Sequence, residues 1–279
     1  MNLPFDLIDI NNILIIGIGG GFDIYAGLPL YFKLKDNYNI TFANYSLAKM
    51  SDPKLHAEKI TKNTRTDYFP EGWLADFTKK EVWQINKLGV IPVKKAIQEI
   101  VKINEIDLII MVDGGVDSIM HGDESNPGTI LEDTVSLAAI KDFDLQSYGH
   151  IKTILACIGM GTEIEEGLST ESALKNIAEL IKDNAFYGTC SLNPNWEAFR
   201  YYKEAYEFAR NQPGFRESHI SSRIIPAVEG TYTNQLNPLM GIYWFFEGYS
   251  VIQKNMLVPL IEKTITFTDV NIIYRQFKS

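Results

Sequence analysis

Cysteine is scarce: Cys157 sits within an apolar run and Cys190 near a glycine, and two such residues supply neither a disulfide framework nor a zinc-ligand spacing. Long hydrophobic runs are scarce as well. The aromatic stretch from Ile242 to Phe246 stops at Glu247, far short of the roughly 20 residues that a membrane-spanning helix needs. Met1 to Asn12 carries Asp6 and Asp9 but no basic residue, unlike a secretory signal. Together these absences predict a cytoplasmic protein with no membrane partner. Basic clusters are missing too. With 26 Lys and Arg against 35 Asp and Glu, the net charge of −9 opposes a grip on a phosphate backbone and predicts no nucleic-acid partner. Neither a Gly-x-x-x-x-Gly-Lys segment nor a Gly-x-Ser-x-Gly elbow occurs, so P-loop ATPase and serine-nucleophile chemistry have no support.

What the chain does have is an ordinary globular composition, 46% hydrophobic and 22% charged, and enough length for one α/β domain over 1–279 with a substantial core. Its most informative feature is a frame that occurs twice without a gap. Leu14 to Asp23 and Leu108 to Asp117 both read Leu-Ile-Ile, one residue, Ile or Val, one residue, Gly-Gly, one residue, Asp. Each reads as a buried strand that delivers a loop, which sets Asp23 and Asp117 at equivalent places. Gly20-Gly21 and Gly114-Gly115 let the backbone turn through positive φ and approach a ligand closely. Ile151 to Ile158, ending in Gly159-Met160-Gly161-Thr162-Glu163, is a third strand end of the same kind.

Between these landmarks a helix is expected from Phe22 to about Leu34 and a strand from Ile40 to Tyr45. Pro53, His56, Pro70 and Gly72 interrupt any long period from Ser46 to Val82, which predicts an excursion or short antiparallel strands. Pro92 suits the first turn of a helix running to Ile103. Thr129 and Glu132 have the spacing of a capping box for a helix through Ile140, a structural explanation that leaves Glu132 and Asp133 outside the candidate site. Ser169 or Thr170 caps the following helix, Ala185 to Cys190 is a short strand, and Asn193-Pro194 opens an aromatic helix. Pro226, Pro238 and Pro259 blur the pattern thereafter, so the C-terminal part, about 214–279, reads as irregular and aromatic, with Thr268-Asp269 opening a closing helix. Strands alternating with helices predict a three-layer, Rossmann-like α/β fold with a mainly parallel sheet and ligand sites beyond the carboxyl ends of its strands.

Amides at a glycine turn between strand and helix attract anions, usually phosphate. Gly19, Gly20, Gly21, Gly114, Gly115, Gly159, Gly161 and Thr162 are therefore expected to cradle a small anionic or phosphorylated ligand. A dinucleotide fingerprint is disfavoured, because Phe22 stands where the third glycine belongs and Asn44-Tyr45-Ser46 end the second strand without a ribose-binding acid. Acids converging from both loops resist ionising together and ask for a cation. Hard oxygen donors favour magnesium, which is assigned to Asp23, Asp113 and Asp117. Asp117, Asp123, Glu124 and His121 are the candidate acids and bases. The last three also have a structural explanation, since acids at turns often bond only their own backbone and a lone loop histidine is more often neither base nor ligand.

At these residues the chain resembles a prokaryotic domain family of unknown function, family 1152. The resemblance lies in Gly19-Gly20-Gly21-Phe22-Asp23, in Asp113-Gly114-Gly115-Val116-Asp117-Ser118, in Gly122-Asp123-Glu124, and in Gly128-Thr129 before Glu132-Asp133. It implies no activity. The residues themselves point to an enzyme, a hydrolase or transferase, that acts with magnesium on a small phosphorylated or nucleotide-like molecule at the strand edge. A noncatalytic small-molecule sensor and a nicotinamide-dependent oxidoreductase are the alternatives, and homo-oligomer formation stays open.

Overall fold

The computed structural model describes residues 2–143 and 151–279. In chain order the elements are β1 (Asn12–Gly17), α1 (Asp23–Ala26), α2 (Leu28–Leu34), β2 (Asn39–Tyr45), β3 (Ala57–Ile60), α3 (Pro70–Thr78), β4 (Val82–Ile85), α4 (Val90–Ile103), β5 (Leu108–Asp113) and α5 (Leu131–Ile140). They continue with β6 (Lys152–Cys157), α6 (Thr170–Lys182), β7 (Phe186–Ser191), α7 (Glu197–Arg210), α8 (Ser221–Val228), β8 (Ile242–Glu247), α9 (Gly248–Lys254), α10 (Val258–Ile261) and α11 (Phe267–Lys278). Among the described residues the strands form one eight-stranded sheet of order β3-β4-β2-β1-β5-β6-β8-β7. Strands β4, β2, β1, β5 and β6 run parallel, and antiparallel pairing is confined to β3 at one flank and to β8 and β7 at the other. This is the mixed α/β fold with a mostly parallel sheet that the alternation of elements predicts.

The central strands are apolar throughout because both of their faces are covered. In β1, Ile13 and Ile15 join a core built with α1, α2, α3, α7 and α8. Leu14 and Ile16, pointing the other way, join a core built with α4, α5, α6 and the three C-terminal helices. After β1 the chain adds β2 and β4 on one side, then returns at β5 and adds β6 on the other. The carboxyl ends of β1 and β5 thus flank a topological switch point, where an open α/β sheet leaves a crevice. The two repeated frames are neighbours, and their pairing is shifted by one residue from the frame itself: Ile13, not Leu14, lies opposite Leu108.

Several local expectations are corrected. The helix expected from Phe22 divides at Gly27, where an ideal Cβ would stand 2.8 Å from Ile15 Cγ2, so the approach of α1 and α2 to the sheet requires glycine. The excursion after β2 contains a helix as well as strands, and Arg65 in it lies over the Phe69 ring and pairs with Glu58 at 3.3 Å. No capping box forms at α5: Thr129 Oγ1 donates to Asp117 Oδ2 at 3.0 Å and Glu132 pairs with Lys87 at 2.5 Å. Asn193 instead closes a turn by accepting from Asn195 N at 2.9 Å, and α7 begins only after Trp196. The stretch read as irregular supplies β8 and four helices, and α11 is capped by Thr266, not Thr268, in a capping box with Asp269.

Candidate functional site

The carboxyl ends of β1, β5 and β6 border a cavity of about 330 Å³. Its wall is made by the first glycine loop, the loop after β5, Asp133 in the first turn of α5, Thr162 and Glu163 after β6, and residues 216–220 ahead of α8. Five buried carboxylates line it, Asp23, Asp113, Asp117, Asp133 and Glu163, none more than 9% exposed, and the exposed Glu217 stands at its rim.

Local sequence explains how so many acids are held there. Asp23 opens α1 and accepts from Gly19 N at 2.6 Å. Asp113 ends β5 and accepts from Gly115 N at 2.6 Å, from Ser118 N at 3.2 Å and from the Ser118 hydroxyl. Val116 N donates to Glu163 Oε2 at 2.9 Å, and Thr129 donates to Asp117. Several amides expected to greet a ligand anion are therefore engaged by the protein's own carboxylates. The glycines serve the same groups. An ideal Cβ at Gly19 would stand 2.7 Å from Asp23 Oδ2 and 2.9 Å from Asp133 Oδ2, and one at Gly115 would stand 2.4 Å from Glu163 Oε2. A side chain at either position would evict a carboxylate.

Carboxylate oxygens of Asp23, Asp113 and Asp133 all lie within 4.8 Å of one another. Asp133 Oδ1 is buried and has no hydrogen-bond partner among the described residues. Burial, followed by the charges of Asp117, Asp113, Asp23 and Glu163, pushes the Asp133 carboxyl well above its ordinary range. Burial and the Asp113 charge do the same to Asp23, and burial and the charges of Asp117 and Asp113 to Glu163. Asp113 is raised by burial against the pull of the Ser118 hydroxyl and the Gly115 amide. A buried acceptor left unpaired is costly, by about 1–3 kcal/mol or more for a charged group. Three hard oxygen donors within 4.8 Å of one another, on side chains of which Asp133 keeps one oxygen unpaired, fit a divalent cation.

Of the residues singled out in the sequence, Gly19, Gly20, Gly21, Gly114, Gly115, Thr162, Asp23, Asp113 and Asp117 come together at this cavity. Gly159 and Gly161 lie outside its lining and shape the turn that carries Thr162, whose amide donates to Gly159 O at 2.8 Å. His121, Asp123 and Glu124 also lie outside it. Glu124 accepts from the His121 and Gly122 amides at 2.9 and 2.8 Å and from Asn176 Nδ2 at 2.8 Å, tying its turn to α6. Its carboxyl bears some burial, yet these donors hold it below the ordinary value. Asp123 is exposed. Of the three acids expected to hold a cation, Asp23 and Asp113 have carboxylate oxygens grouped closely with one of Asp133, while Asp117 lies between Thr129 and Glu163; His121, Asp123 and Glu124 form a second, less buried group. Asp133 and Glu163 also line the cavity, although local sequence pattern assigns neither to the candidate site. The available signals were their places, one in the first turn of the helix after the second matched loop, the other at the third strand end.

The features that disfavour a dinucleotide fingerprint have definite partners. Phe22 packs edge-on against Tyr206 and Phe215. Asn44, at the end of β2, donates to Gly21 O at 3.1 Å and to the fully buried Glu71 at 2.7 Å.

Fold and site together define an α/β protein with buried carboxylates gathered at the switch point of a mostly parallel sheet. The chain belongs to the family described as protein of unknown function (DUF1152), whose model matches residues 55–277. The matched stretch contains Asp113, Asp117, Asp133 and Glu163 and begins after the loop that carries Asp23. No curated protein and no solved structure matches the chain.

Proposed function

We propose that this protein is an enzyme that uses a divalent cation, magnesium by preference, to hydrolyse or transfer a group of a small phosphorylated or nucleotide-like molecule. The observation that carries this reading is the orphaned, buried Oδ1 of Asp133 within a carboxylate triad at the strand edge. In this reading Asp23, Asp113 and Asp133 hold the cation. The bound cation would polarise a phosphoryl oxygen and lower the pKa of a coordinated water. Asp117 lines the same cavity and in this reading would take a proton from the nucleophile, with Thr129 donating to its carboxylate. Burial and the charges of Asp117 and Asp113 raise the Glu163 carboxyl, which favours its protonated form and so less repulsion beside Asp117.

The test is to follow phosphate release from a panel of phosphate monoesters, mononucleotides and pyrophosphate, with and without Mg2+ or Mn2+. Turnover that requires the cation and falls by at least about a hundredfold in Asp117→Asn is expected, in line with the usual contribution of a general base. Cation-dependent binding without turnover of any member would instead identify a sensor.

A further inference from the structure

The cavity floor is acidic and several nearby amides are engaged, so an anionic ligand needs positive charge from elsewhere. Arg216 supplies it. It is the one permanent cation among the described residues that line the cavity. Arg65, Arg200, Arg210 and Arg223 each have a carboxylate within 4.0 Å, whereas Arg216 has no such pair among the described residues and lies over the Tyr68 ring, 5.4 Å from its centroid. Tyr68 lines the cavity too, and its ring stands edge-on to Trp73.

The backbone under Arg216 is fixed on both sides. Gly214 has φ of +76°, and an ideal Cβ there would stand 2.3 Å from the Asp67 carbonyl carbon, so the chain lies directly on the loop that carries Tyr68. The Phe215 ring is anchored against Phe22, Trp73 and Tyr206, with centroids 5.9, 6.2 and 5.9 Å away. On the far side, Ser218 is buried and its hydroxyl accepts from Ser221 N at 3.2 Å at the start of α8. A long side chain is thus presented from an anchored backbone at the mouth of an acidic pocket, over the Tyr68 ring and with Glu217 and His219 beside it in the lining but no carboxylate within 4.0 Å among the described residues.

Resting on the proposed cation-dependent reading, we infer that Arg216 is the substrate-recognition residue of this site, and that the substrate is a small phosphate monoester whose phosphoryl oxygens are shared between the floor cation and the Arg216 guanidinium. A planar fork of N–H donors suits a phosphoryl group, and stacking on Tyr68 limits its freedom before the ligand arrives. A volume of about 330 Å³ lies at the small end of the ligand-pocket range of roughly 300–1,000 Å³, fitting a sugar phosphate or mononucleotide better than a dinucleotide.

Calorimetry on the full chain tests this with Mn2+ alone, then with inorganic phosphate, pyrophosphate and oxalate titrated in saturating Mn2+. Arg216 is exposed, so Arg216→Gln and Arg216→Lys should fold, with their melting temperatures as the check. Expected are unchanged Mn2+ affinity, phosphate affinity reduced about tenfold or more in Arg216→Gln with partial retention in Arg216→Lys, and weak oxalate binding. Equal phosphate affinity in wild type and Arg216→Gln, no binding of either phosphate probe, or oxalate binding as tight as phosphate would each overturn the inference while leaving the cation in place. If Mn2+ itself fails to bind, the cation reading falls. Phosphate titrated without metal then decides for Arg216: binding lost in Arg216→Gln supports recognition by it, and binding unaffected or absent overturns it.

Discussion

Replacing Asp133 by Asn keeps the side chain's shape and removes one buried negative charge, so its two consequences have opposite signs. Without a divalent cation the variant should melt higher than wild type, by roughly 2–4 °C for each kcal/mol of relieved repulsion in a chain of this size class. With the cation at a hundredfold its dissociation constant, wild type should gain about 2.7 kcal/mol and the variant little, read by thermal denaturation with and without Mg2+. A pH series gives the same sign from another direction. The carboxyls of Asp23, Asp113, Asp133 and Glu163 are raised on folding, so the folded state binds protons more tightly than the unfolded one. Their stabilising contribution is complete below the ordinary carboxylate range of about 4 and is lost as pH rises through the raised folded values. Cation-free wild type should accordingly lose stability relative to Asp133→Asn as pH rises from about 4 toward neutrality, and saturating Mg2+ should abolish the trend. Asp23 and Asp117 were legible in the sequence because a repeated frame pointed at them, and Asp113 because it ends the apolar run of the second copy. Asp133 was not, because an acid in a helical first turn already has a local explanation, and only the sheet order reveals that this turn abuts Gly19. Arg216 was invisible for a related reason: its segment has no periodicity, and its place depends on Gly214 meeting a loop far away in the chain.

At the scale of elements, the strand-end loops are carboxylate holders, and their glycines are needed for space. Gly19→Ala would force a Cβ against Asp23 and Asp133. Expected are a loss of about 1–3 kcal/mol from overpacking and disappearance of the Mg2+-induced shift in melting temperature. Thr266→Ala is the matched control, since the α11 capping box stands apart from the cavity lining. It should cost about 1 kcal/mol and leave the Mg2+ shift intact. Strands β1, β2, β5 and β6 and the helices with a clean apolar stripe, such as α4 and α6, could be read from sequence because local pattern and tertiary burial agree there. Capping residues deceived wherever another partner, distant or local, took the side chain. Thr129 serves Asp117, and Asn193 closes its own turn, so neither caps the helix that spacing assigned to it.

At the scale of the whole molecule, the decisive fact is strand order. Alternation of elements made a parallel sheet legible, but the adjacency of β1 and β5 and the entry of β8 between β6 and β7 arise from pairings distant in sequence. That order turns two separate loops into a single crevice at the switch point and brings the start of α5 into it. Among the described residues no helix is long and apolar enough to cross a membrane. The central claim is that the gathered acids hold a divalent cation, and anomalous scattering from crystals of the full chain soaked in Mn2+ tests it most directly. A single strong peak between Asp23, Asp113 and Asp133, absent in Asp133→Asn, is the expected result. Saturating Mn2+ with no peak there, or with density only beside the outlying His121, Asp123 and Glu124, would contradict it.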